Sequence, residues 1–310
     1  MSKARELAEL GGVDGALSNR NLLINGGLNV WQRGITFVTG PTNTYTADRW
    51  IARDGTISKS ADVPAGKGFM NSAYYQNAGV RAGINMRQVI ENGYYAIDGQ
   101  DVTISFWIKT SITTSIAVDL HDAYSSGYIL SCPANTWTYQ TYTFNNVDTT
   151  TFTNFWSGPH AHIDFNFGGS YPDAYITGVQ LELGDTATPF EHRSYGDELA
   201  RCQRYCYRLD GNSSDQTMIG AGFFYGTTAT RHIVHFPVTM RGIASVSANG
   251  LDVLSDAVND AAVTLESTLD ESIYSCGLNI GGVTATTVGE AAILRLSSYT
   301  SAYIEFDAEL

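Results

Sequence analysis

Basic residues are scarce in this chain: 18 Lys and Arg stand against 31 Asp and Glu in 310 residues, a formal charge of −13. The imbalance is steepest from Leu209 onward, where Arg231, Arg241 and Arg295 oppose twelve carboxylates. A field of that sign repels phosphate backbones and anionic lipid surfaces, so no nucleic acid and no membrane insertion is expected among the partners. Cysteine is also sparse. Cys132, Cys202, Cys206 and Cys276 are too few and too scattered for a disulfide framework, and free thiols are expected. No apolar run approaches membrane-spanning length, and the opening MSKARELAELGG lacks the apolar core of a signal peptide, which points to synthesis and assembly in a cytoplasm. Phosphate-cradling glycine loops, paired CxxC motifs, HExxH and internal repeats are absent, so no cofactor is expected and no catalytic set stands out.

What is abundant is the material of short strands and turns: 31 Gly, 18 Tyr and many Thr and Ser. This is an all-β composition, and 310 residues accommodate two β-domains, each with its own core. Turn dipeptides at Asn25-Gly26, Asp54-Gly55, Asn92-Gly93 and Asp98-Gly99 supply residues that accept positive φ. Between them the residues alternate. Val102, Ile104, Phe106 and Ile108 line one face of a strand, as do Ile116, Val118 and Leu120. Tyr175, Thr177, Val179 and Leu181 continue as the last strand before Gly184.

The expected organisation is an N-terminal attachment segment at residues 1–20, a jelly-roll domain at 21–193, a connecting helix at 194–209 and a C-terminal β-sandwich at 210–310. In the first segment Ala4, Leu7 and Ala8 share a face of a short helix that gains stability only by docking, which makes it a candidate anchor; a frayed terminus is the competing account. In the connecting helix Asp197 can act as cap, and Leu199, Cys202, Cys206 and Leu209 form one apolar stripe. That stripe either packs on a sheet or meets symmetry mates on a threefold axis. Seven short strands are expected beyond it, with Pro237 favouring an edge or bulge in the run from Arg231 to Met240.

Two groups of residues invite a chemical reading. His160, His162 and Asp164 alternate with Ala161, Ile163 and Phe165, and a solvated polar face explains them more simply than a metal or acid–base cluster. No metal is assigned. The aromatics Tyr124, Tyr128, Trp137, Tyr139, Tyr142, Phe155, Trp156 and Tyr171 crowd the stretch 120–171. Rings in loops suit packing against the C–H faces of sugars, and Tyr124, Tyr128 and Trp156, beside Ser, Gly and Pro, are the ligand-binding candidates. Trp31, Trp50 and Trp107 lie in or beside strands and are assigned to the core.

Three motifs in order, Trp31-Gln32-Arg33-Gly34, Ala47-Asp48-Arg49-Trp50 and Gly178-Val179-Gln180-Leu181-Glu182, make the first two thirds of the chain resemble tail-fibre or receptor-binding structural proteins of tailed bacteriophages. The resemblance implies a jelly roll like those of carbohydrate-binding domains, on a fibre or spike that is usually a homotrimer, with a structural role for Asp48, Arg49 and Trp50. It implies a virion location, other virion proteins bound through the N-terminus, a host-surface glycan or protein as ligand, and no enzyme activity. A capsid head-fibre or decoration protein is the first alternative, since no shaft repeat is present. A polysaccharide depolymerase is the second.

Overall fold

The computed structural model describes residues 19–77, 86–120, 128–152, 160–167, 172–211, 216–255, 259–283, 287–298 and 301–310. The anchor candidates Ala4, Leu7 and Ala8 lie outside them. The protein is all-β, with 21 strands among the described residues and only two short α-helices, and it divides into two compact units, one through Glu198 and one from Leu199 to Glu309.

The first unit is a jelly-roll sandwich of two six-stranded sheets. Sheet A runs β1 (Thr36–Thr39), β4 (Gly55–Ser60), β5 (Ser72–Asn77), β12 (Ala174–Leu183), β7 (Val102–Thr110) and β10 (Thr138–Phe144). Sheet B runs β2 (Thr44–Tyr45), β3 (Trp50–Ala52), β6 (Met86–Ile90), β11 (Ala161–Asn166), β8 (Thr114–Leu120) and β9 (Tyr128–Cys132). The expected alternation holds: Ile104, Phe106, Ile108, Ile116 and Val118 are fully buried between the sheets. Phe106 meets Phe165 of the opposite sheet edge to face at 5.0 Å, and Phe165 meets Trp50 at 6.2 Å. The turn residues also behave as their chemistry predicts, with φ of +57° at Asn25, +54° at Asp54 and at Asn92, and +67° at Gly99.

The three motifs tie the unit's start to its end. Asp48, fully buried, accepts the Gln32 backbone N–H and its side-chain amide, each at 2.6 Å. Arg49 donates to the Val89 carbonyl at 2.7 Å, so both residues of the pair orient backbone. Asn21 donates to the carbonyl of Val179 and accepts from the N–H of Leu181, which joins the irregular segment before β1 to β12.

Helix α1 (Gly93–Ile97) follows Asn92, and α2 spans Tyr195–Gln203. The longer helix expected over 194–209 is corrected: Cys206 and Leu209 belong to strand β13 (Cys206–Asp210), so the stripe through Leu199, Cys202, Cys206 and Leu209 is not one helical face. The cap differs as well. The Ser194 hydroxyl accepts the Asp197 N–H at 3.2 Å and bonds the Asp197 carboxylate at 2.6 Å, so Asp197 sits three residues inside the helix, facing its cap.

In the second unit β14 (Thr217–Phe224), β15 (Ala229–His235), β19 (Ser275–Gly281), β18 (Asn259–Leu269), β17 (Leu251–Leu254) and β20 (Ala291–Leu296) close into a barrel in that order. Beside it β13, β21 (Tyr303–Asp307) and β16 (Ser245–Asn249) form a three-stranded sheet. The sheet-on-sheet packing expected here is therefore completed by closure, which removes strand edges. Strand β15 stops at His235, leaving Pro237 beyond its ladder. His232 faces inward and His235 outward. All four cysteines are free and buried, and burial pushes the thiols of Cys132 and Cys276 up to about 11.

Candidate functional site

The outer face of sheet A carries an unusual density of rings, and strand register explains why they meet. With Ile104, Phe106 and Ile108 in the core, the residues between them, Ser105, Trp107 and Lys109, point outward. Pairing sets Tyr74 beside Tyr175 and Tyr175 beside Lys109, while Trp107 lies beside Tyr139 on one side and Thr177 on the other. Tyr74 and Tyr175 stack at 4.4 Å, and the Lys109 ammonium rests 4.3 Å from the Tyr175 ring centre. Lys109 is neutralised by an ion pair with Asp62, which also accepts the Trp137 indole N–H at 3.0 Å. Against the upward push of burial, these bonds hold the Asp62 carboxyl below the usual carboxylate range. Burial, with the hydrogen bond that Tyr74 donates to Asp173 at 3.0 Å, pushes the Tyr74 phenol up to about 12.

A bulge in β12 prepares the neighbouring surface. Between Thr177, opposite Trp107, and Gln180, opposite Ser105, β12 has two residues, 178 and 179, where β7 has only Phe106, so one extra residue is inserted. Tyr175 and Thr177 thus face outward while Val179 and Leu181, two and four residues on, are buried in the core. Gly178 has φ +63°, and a Cβ there would come within 2.4 Å of the Phe69 ring, so glycine is required on both counts. Beyond the bulge Gln180 and Glu182 project outward and lash down the segment that follows β12. Glu182 accepts the Thr188 N–H at 2.8 Å and its hydroxyl at 2.7 Å, and Gln180 accepts the Glu191 N–H at 2.8 Å.

Between this tethered segment and the one that precedes β5 lies a groove of about 480 Å³. Phe69, Phe190 and His192 form one wall, their ring centres 4.9 to 5.1 Å apart. Trp107 and Tyr139, 5.3 Å apart, form the other, and Tyr139 is 44% exposed. Lys67 reaches across with its ammonium 5.3 Å from the Trp107 ring centre. The size lies within the range of small-ligand sites, and flat apolar walls with a few polar heads suit a ligand with apolar faces and polar edges.

The sequence candidates fare unevenly. Tyr124 and Trp156 lie outside the described residues, and Tyr128 begins β9 with its side chain outside them. Of the aromatic cluster expected from the sequence, Tyr139 reaches the groove and Trp137 the Lys109 group. Trp107, assigned to the core, is corrected to the groove wall; Trp31 and Trp50 are buried as expected. The alternation that put Phe106 inside was itself the signal that Trp107 faces out. Phe69, Phe190 and His192 were missed because they lie in irregular segments with no periodicity to read.

The polar face expected on β11 is also corrected, because it is not solvated. His162 and Asp164 are buried, and Arg87, paired with Asp164 in register, binds its carboxylate at 2.7 Å. Burial pushes the Asp164 carboxyl up, but His162 at 3.4 Å and Arg87 together hold it below its ordinary value. Among the described residues no group of three or more His, Cys, Asp and Glu is placed to hold a metal ion.

No protein-family model matches the chain, and no curated protein matches it. Among solved structures, the CBM22-1 xylan-binding domain of Xyn10C from Paenibacillus barcinonensis is similar at 11% identity, covering 49% of this chain and 100% of that domain with a TM-score of 0.34. The tandem CBM22-1–CBM22-2 domains of the same protein cover 88% of this chain and 98% of theirs, at 11% identity and a TM-score of 0.34. The enzymatically active domain of tailspike protein 4 from bacteriophage CBA120 is 18% identical over 53% of this chain and 22% of its own length, with a TM-score of 0.31. The ligands and activities in those descriptions belong to those proteins.

Proposed function

We propose that the first unit is a saccharide-binding module of a phage virion structural protein, a tail-fibre or spike subunit that engages a glycan on the host surface. The groove walled by Trp107 and Tyr139 on one side and by Phe69, Phe190 and His192 on the other carries this reading, since sugar rings present C–H faces that pack on aromatic planes and hydroxyl edges that need polar partners. The ordered motifs at Trp31–Gly34, Ala47–Trp50 and Gly178–Glu182 support the phage assignment. Residues 1–20 are proposed as the virion anchor and the working form as a homotrimer, which light scattering on the purified full-length protein tests directly.

Glycan binding is tested by calorimetry of the full-length protein against a panel of bacterial surface polysaccharides, beside Tyr139→Ala. Binding to at least one polymer, weakened by the substitution with thermal unfolding unchanged, is the expected result; a folded protein that binds none overturns the module reading. A head-fibre or decoration protein is the second reading. Antibody-fragment labelling of virions separates the two, since signal on capsid faces or vertices removes the tail assignment.

A further inference from the structure

We propose that the groove selects an anionic saccharide, with Lys67 as the residue that reads its acid group; the inference rests on the saccharide-binding reading above. The first observation is a local reversal of charge. Carboxylates outnumber Lys and Arg by 31 to 18 in the whole chain, yet the groove is lined by Lys67 and His192 and by no carboxylate. The rest of its lining, Ala187, Thr188 and Pro189 with the aromatic walls, is uncharged.

The second observation is the state of that lysine. Lys109, on the same outer face, is committed to Asp62. Lys67 is exposed, makes no ion pair among the described residues, and holds its ammonium over the Trp107 ring. A cation–π contact places a charged head without neutralising it, so the ammonium stays available to an incoming anion. Glu182, the carboxylate that binds Thr188 of the groove lining, is buried and already occupied by Gln180 Nε2 at 3.0 Å and by the N–H and hydroxyl of Thr188. It is spent on holding the wall.

The geometry assigns roles accordingly. Tyr139, 44% exposed, offers a stacking face; Trp107 positions Lys67; Lys67 meets the acid group; and the His192 ring adds polar nitrogens on the far wall. An acidic sugar matches this arrangement whether its charge is a uronic-type carboxylate or a phosphodiester, because an ammonium is a point charge that accepts either.

The experiment uses the full-length protein and three probes: oligogalacturonate, the same oligomer with its carboxyl groups reduced to alcohols, and a phosphodiester-linked teichoic acid. Calorimetry is expected to give at least about tenfold tighter binding of oligogalacturonate or teichoic acid than of the reduced oligomer, and the two acidic arms identify which source of charge is used. Lys67→Gln should erase that preference while leaving the weaker neutral binding, whereas Tyr139→Ala should weaken acidic and neutral binding together. Equal binding of acidic and reduced oligomers, or a preference that survives Lys67→Gln, overturns the inference and leaves the saccharide reading intact. Binding of none of the three, together with none of the wider polysaccharide panel, overturns both.

Discussion

The two units are both antiparallel β and both have a full apolar core, yet among the described residues only the first has a groove walled by aromatic rings. In the first unit sheet A ends in free edges, and the segments that enter β5 and leave β12 fold back over its outer face and wall a groove. In the second, β14, β15, β19, β18, β17 and β20 close on themselves, and two grooves among its described residues, between β16 and β18 and of about 530 and 430 Å³, are lined by Ser, Thr, Ala, Gly, Asn249 and aliphatic residues with Glu266 and Glu271. The difference lies in what crosses over the sheets. A bulge at Gly178 and two outward amide and acid side chains, Gln180 and Glu182, hold the wall of the groove over the sheet face.

Core substitutions should separate the units most sharply. Phe165→Ala in the first and Phe306→Ala in the second, both fully buried, are each expected to lose about 3–5 kcal/mol, with hydrogen exchange assigning each loss to its own unit. Arg87→Leu comes next, because it strands the buried Asp164 carboxylate. A loss of about 3 kcal/mol or more is expected by denaturant titration, and a loss under 1 kcal/mol would show that Arg87 does not compensate that charge.

The second unit should respond to acid through His232, whose pKa is lowered by burial to about 4, only partly offset by a hydrogen bond with the Gly220 backbone. An unfolded histidine titrates near 6.5, so the unfolded chain binds the proton first as pH falls. Stability from this group is complete above pH ~6.5 and declines toward pH ~4, by on the order of 3 kcal/mol. His232→Gln should flatten that part of the pH profile, and a profile unchanged by the substitution would remove His232 as its source.

Gly178→Ala tests the bulge. The strained φ and the approach to Phe69 predict a loss of about 2 kcal/mol in thermal unfolding, and weaker ligand binding as Phe69 is displaced. Smallest is Tyr139→Ala, an exposed ring whose removal should leave stability nearly unchanged and weaken saccharide binding by about 1–2 kcal/mol, roughly tenfold. A stability loss as large as that of Phe165→Ala would make Tyr139 a core residue and would dissolve the contrast between face and core.

Much of the first unit was legible in the sequence. Period-two alternation placed Phe106 and Ile108 inside, and the turn dipeptides fell where φ is positive, because both signals are local. The candidate site was only partly legible. Trp107 could have been placed outside by the same alternation, and Tyr139 belonged to the aromatic cluster already singled out. Phe69, Phe190 and His192 could not, because their meeting depends on two irregular segments more than 110 residues apart in sequence that are brought together over β12.

By itself the sequence determined the all-β class, the buried faces of the regular strands, the turn positions and the acidic balance, since each follows from composition or from neighbours a few residues apart. The tertiary structure decided the rest: that β12 changes face at Gly178, that the polar residues of β11 are buried against Arg87, that the second unit closes into a barrel, and that a cationic groove forms on an acidic chain. Those outcomes depend on strand partners and crossing segments distant in sequence, and the hydrogen bonds and charges they bring together exist only once the sheets have paired.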